Sequence, residues 1–106
     1  MATESDALRQ VCDYLQLRKK KIGFMFWRTN NTPIWQEDRF RAIPKYSMKG
    51  VPDVIVIKDG FFIGLEIKTK AGRQSDHQKE FEKQCKENGA EYYIVRGLDD
   101  VIEIGL

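Results

Sequence analysis

The chain has 106 residues, 42% hydrophobic and 32% charged. That mixture is expected of one folded domain over 1–106 and excludes an extended disordered chain or a second core. The net charge of +2 hides an asymmetry: from Arg18 to Lys49 nine basic residues stand against two acidic ones, so that segment is +7 and the rest −5, the pattern of a chain with an anionic partner for one region only.

No apolar run approaches the roughly 18–20 residues of a membrane span, and the polar, acidic start from Met1 to Asp6 is no secretory signal. Cys12 and Cys85 make neither a disulfide scaffold nor a metal-ligand spacing, so they are read as free thiols in a reducing cytoplasm.

The first predicted element is a helix over about 4–20, with Leu8, Val11, Cys12 and Leu15 at helical spacing and Thr3 as its cap. Gly23 follows a basic last turn that suits the helix dipole. Phe24 to Arg28 reads as an aromatic strand. Residues 29–50 carry Asn30, Asn31, Pro33 and Pro44 and read as a basic, partly irregular excursion, with Ile34-Trp35 and Phe40-Arg41 as short edge strands. Two β-rich runs, 53–58 and 61–68, flank Asp59-Gly60, a hairpin signature. Both faces of these runs are apolar, so they are predicted to be central strands with helices above and below. A helix over about 75–88 and a strand over 91–95 then make a right-handed crossover to a parallel neighbour. A short helix over 98–104 ends the series. The fold class is α/β, a mixed sheet of about four or five strands flanked by helices.

A two-residue turn at Asp59-Gly60 pairs Lys58 with Phe61, and the same register carried outward sets Asp53 opposite Glu66. Their Cβ atoms would lie about 4.5–5.5 Å apart on one face. Lys68, two residues beyond Glu66, points the same way. Like charges opposed beside apolar residues need neutralising. A hard divalent cation such as Mg²⁺ would do this; a plain ion cluster with Lys68 is the alternative.

Pro52-Asp53, twelve residues, then Glu66-Ile67-Lys68 resembles the PD-(D/E)xK nuclease superfamily. With Gly50-Val51-Pro52-Asp53, Gly72, Ser75, Gln78, Gly89-Ala90 and the strand Phe26-Trp27-Arg28, the chain resembles the VRR-NUC (virus-type replication-repair nuclease) branch over about 4–100. The resemblance implies a restriction-endonuclease-like core. It implies Mg²⁺ or Mn²⁺ held by Asp53, Glu66 and the carbonyl of Ile67, with Lys68 acting on water and phosphate. It also brings Gln78 into the active site, although Ser75-x-x-Gln78 alone reads as a helix capping box. The resemblance further implies a first-helix glutamate that approaches the metal; Glu4 lies on the inward stripe and Asp6 on the wet one, so that role goes to Glu4, the alternative being an exposed acid that favours the helix dipole. His77, the only histidine, faces elsewhere and is read as a surface or phosphate-contact residue and not a metal ligand.

Lys19, Lys20, Lys21, Arg28, Arg39, Arg41, Lys45 and Lys49, with Lys70 and Arg73, are candidates for phosphate contacts. Trp27, Trp35 and Tyr46 lie within or beside the basic segment; core packing is the favoured reading, with base stacking the other. No groove-reading module is evident, which favours recognition of DNA shape. The resemblance implies branched DNA, a four-way junction or a flap, cut by a homodimer, and no membrane partner. A lone domain this short fits a phage or prophage in a bacterial cytoplasm. The competing readings are a nucleic-acid-binding module without catalysis and an adaptor whose acids merely pair with Lys68.

Overall fold

A computed structural model describes residues 3–29, 35–36, 39–40 and 45–106, with 35, 36, 39 and 40 described as backbone only. The order is α1 (Glu4–Ile22), β1 (Phe24–Arg28), β2 (Trp35–Gln36), β3 (Arg39–Phe40), β4 (Val54–Lys58), β5 (Phe61–Ile67), α2 (Asp76–Glu87), β6 (Glu91–Val95) and α3 (Leu98–Ile104).

The main sheet is β1-β4-β5-β6. Its first three strands are antiparallel and β6 joins β5 in parallel. This is the mixed α/β sheet expected, at the lower strand count. Two short strands form in the excursion, each one residue off its expected bounds. Among the described residues they pair with each other, Trp35 with Phe40, in a separate two-stranded sheet and not in the main one.

Local chemistry explains the elements. At the start of α1 the Thr3 hydroxyl accepts from the Asp6 N–H (3.1 Å), and the Asp6 carboxylate accepts from the Thr3 N–H (3.2 Å), a complete capping box. The hairpin turn has φ 53° at Asp59 and 82° at Gly60, the left-handed pair that matches strand twist and that Asp-Gly tolerates.

Strand alternation sorts the core. Val54, Val56, Ile63, Leu65, Ile67 and Val95 face Val11 and Leu15 of α1 and Val101 of α3. Ile55 and Tyr92 are buried on the opposite side, where Phe81 of α2 lies 6.4 Å from the Tyr92 ring. Parity puts Glu66 on this second side, toward α2. Cys12 is half-buried, Cys85 is buried and both are free. Among the described residues no helix is long and apolar enough to cross a membrane.

Candidate active site

The register runs from Lys58↔Phe61 to Val54↔Leu65, so the sequence-derived pairing holds along all of β4. Asp53 lies one residue before that strand, in a bend. It is still held from both sides. The Thr29 N–H donates to the Asp53 carbonyl (2.9 Å) and the Thr29 hydroxyl to the Pro52 carbonyl (2.6 Å). On the other side, the Ile67 N–H donates to Asp53 Oδ2 (2.8 Å). The carboxylate thus occupies the ladder position that a strand carbonyl would otherwise fill.

Glu66 is the most constrained charge in the site. It is 1% exposed. Gln78 Nε2 donates to its Oε1 (2.9 Å), the Tyr92 hydroxyl donates to its Oε2 (3.4 Å), and Lys68 Nζ lies 3.9 Å from Oε1. Burial pushes the carboxyl up to about 8. The hydrogen bond and negative charge of Asp53 add to that, Lys68 opposes it, and Glu4 raises it slightly. A proton on Glu66, or a bound cation, would offset the repulsion from Asp53.

Gln78 does two jobs. Its Oε1 accepts from the Ser75 N–H (2.9 Å) and its N–H donates to the Ser75 hydroxyl (3.2 Å), while its Nε2 reaches Glu66. One geometry therefore serves both the cap and the contact with Glu66. The cap consumes the amide oxygen and leaves the NH₂ aimed at the carboxylate.

Two acids, an ammonium and an amide therefore converge at the ends of β4 and β5 and the start of α2. Glu4 is exposed at the first turn of α1, not inward as its stripe suggests, yet its charge is felt at Glu66. The stripe becomes buried only from Val11 onward. His77 is exposed, as expected.

Among the described residues no three His, Cys, Asp or Glu side chains form a metal-holding group. Asp53, Glu66 and the Ile67 carbonyl are a smaller donor set. It suits a hard divalent ion that keeps water and phosphate oxygens as further ligands. The fit rests on Glu66 itself, a buried carboxyl held against a second carboxyl and stabilised most by positive charge.

The cationic candidates are dispersed. Lys70 and Arg73 are exposed just after β5. Lys45 and Lys49 are exposed before Asp53, and Arg28 is exposed at the end of β1. Lys19, Lys20 and Lys21 form the last turn of α1, about 22–26 Å along the helix from Glu4. Arg39 is described only as a β3 residue, and Arg41 lies outside the described residues. Trp27 (43% exposed) and Tyr46 (90% exposed) are not core residues. β1 is an edge strand, and Trp27 lies on the face of it opposite Phe24 and Phe26, which pack on the core. The Trp35 side chain is outside the described set.

Three residues near the site escaped the sequence reading. Tyr92 and Gln74 join the hydrogen bonds around Glu66. Arg96 Nη1 donates to the carbonyls of Thr69 (2.7 Å), Gly72 (2.7 Å) and Lys70 (3.3 Å), clamping the loop that carries Lys70 toward Arg73. Tyr92 had one legible signal: in a strand that reads Tyr92-Tyr93, one ring must face α2.

No family model and no curated protein matches the sequence. Among solved structures the chain is similar to one described as a VRR_NUC domain, with a TM-score of 0.63 and 21% identity, over 97% of this chain and 95% of that one. The shared fold extends over nearly all of both chains.

Proposed function

We propose that the protein is a Mg²⁺- or Mn²⁺-dependent endonuclease that cuts branched DNA, in the manner of a Holliday-junction resolvase, as a homodimer. The observation that carries this reading is Glu66, buried beside Asp53 with Lys68 and Gln78 converging on it. The fold shared with a VRR_NUC domain supports it.

Asp53, Glu66 and the Ile67 carbonyl are the groups that would hold the cation. Once bound, the cation supplies Lewis acidity, making water a better nucleophile and neutralising charge on the phosphodiester. Lys68 brings a fixed positive charge and donor protons toward the phosphate oxygens as negative charge develops there. Gln78 holds the Glu66 carboxylate in place and offers its amide to the same region. Exposed Lys70 and Arg73 extend the positive field outward. Two copies related by a two-fold axis would address the paired phosphates of a four-way junction.

The test is cleavage of labelled four-way junction, flap and linear duplex with Mg²⁺, Mn²⁺ or EDTA. Metal-dependent cutting of branched DNA is expected. Lys68→Ala and Glu66→Ala should abolish cutting while leaving DNA binding largely intact. Binding without metal-dependent cutting of any substrate would instead identify a nucleic-acid-binding module and overturn the proposal.

A further inference from the structure

The Tyr92 hydroxyl is 3.4 Å from Glu66 Oε2, on a residue only 3% exposed. Its neighbours decide where its one proton points. Gln74 Nε2 donates to the tyrosine oxygen (3.4 Å) and also to Glu82 Oε1 (3.1 Å). Lys86, one helical turn beyond Glu82, holds that carboxylate at 2.9 Å. Glu82 is a carboxylate, held below the ordinary range by Lys86 and Gln74 against its own burial, so it accepts only. Gln74 must therefore present its NH₂ to both Glu82 and Tyr92. With the tyrosine oxygen accepting from Gln74, its proton is left for Glu66. Donation diverges from Gln74, outward to Glu82 on α2 and inward to Tyr92, and the inward branch ends on the oxygen of Glu66 that Gln78 does not touch.

We infer that Tyr92 is a positioning residue, oriented through Gln74, that fixes the Glu66 carboxylate from the side opposite Gln78 and so sets its affinity for a divalent cation. This rests on the reading of Asp53 and Glu66 as cation ligands. Partners that hold a ligand carboxylate typically contribute 10–100-fold to metal affinity. Neither Tyr92 nor Gln74 would touch the cation or the substrate.

Tyr92→Phe removes the hydroxyl and keeps the ring that packs near Phe81. Mn²⁺ binding to the full chain is read by calorimetry, and the metal-free protein's thermal unfolding in parallel. The expected result is Mn²⁺ affinity about tenfold weaker in Tyr92→Phe, with a smaller loss in Gln74→Ala, whose Tyr92 proton is free to turn away. Cleavage should follow, with kcat restored at raised Mn²⁺. Equal Mn²⁺ affinity in wild type and Tyr92→Phe would overturn the inference and leave the nuclease reading standing, as would a variant that only melts earlier. A wild-type protein that binds no Mn²⁺ would overturn both. Should Tyr92→Phe fail to fold, unchanged Mn²⁺ affinity in Gln74→Ala overturns the inference by itself.

Discussion

Glu66 ties stability to pH. In the folded, metal-free chain its carboxyl keeps a proton up to about pH 8, against an ordinary value near 4.5. Between those limits the folded state holds a proton that the unfolded state has released. With regard to this group, stability is therefore full below about pH 4.5 and falls as pH rises to about 8. Denaturant titrations in EDTA at pH 5, 6.5 and 8 should show that fall, on the order of a few kcal/mol. Glu66→Gln, neutral throughout, should flatten it; an unchanged slope in that variant would assign the effect elsewhere. Mn²⁺ should stabilise more at pH 8 than at pH 5, because it competes with the proton for the same carboxylate. Asp53 behaves differently. Its carboxylate accepts the Ile67 N–H, so Asp53→Ala removes repulsion but orphans a backbone donor. That variant should be destabilised by about 1–3 kcal/mol rather than stabilised.

The start of α2 couples two properties that variants can separate. Ser75→Ala removes the hydroxyl that accepts the Gln78 N–H and should cost about 1 kcal/mol of stability, with cleavage little changed because the Gln78 amide still reaches Glu66. Gln78→Ala loses both the reciprocal cap and the Glu66 contact, so stability and cleavage should fall together. Comparing unfolding midpoints with cleavage rates for the pair checks this. Gly50 sets the same helix from below. It has φ 76°, and a Cβ there would lie 2.3 Å from the His77 carbonyl oxygen and 2.7 Å from the Gln78 nitrogen. Both partners are backbone, so the first turn of α2 must move. Gly50→Ala should cost more than about 1 kcal/mol and lower cleavage by shifting Gln78, measurable as a joint loss in melting temperature and rate.

At the scale of the molecule, exposed positive charge lies both at the last turn of α1 and beside the candidate site, in Lys70 and Arg73. Lys19, Lys20 and Lys21 cap the C-terminal turn of α1, while Glu4 begins its first. Their separation of about 22–26 Å from Glu4 exceeds the Debye length of about 8 Å at physiological salt. On the proposed function, these lysines would contact backbone phosphates and add affinity without reading sequence. Lys20→Ala with Lys21→Ala should weaken binding to junction, flap and duplex alike and reduce the slope of log K against log salt by about 1–2. A loss confined to one substrate would contradict a role in backbone contact. Sedimentation of the free protein and of its junction complex tests the two-fold assembly.

The hairpin, its turn and its register were legible in the sequence because they are local. Asp59-Gly60 dictates the turn, and each residue pair outward follows from it, so residue order alone sets Asp53 and Glu66 side by side. Capping at Thr3 and Ser75 is equally local, as are the bounds of α3. Tertiary structure decided the rest. The parallel register of β5 with β6, Gly64 beside Tyr92, depends on how the α2 crossover packs. That packing alone brings Tyr92 and Gln74 to Glu66. It also fixes which aromatics stay outside, since Trp27 is exposed by the edge position of β1, a property of strand order and not of sequence pattern. Lastly, residue types show that carboxylates are present, but only enclosure between the sheet and α2 makes Glu66 hold its proton. Desolvation is a property of surroundings assembled from distant parts of the chain.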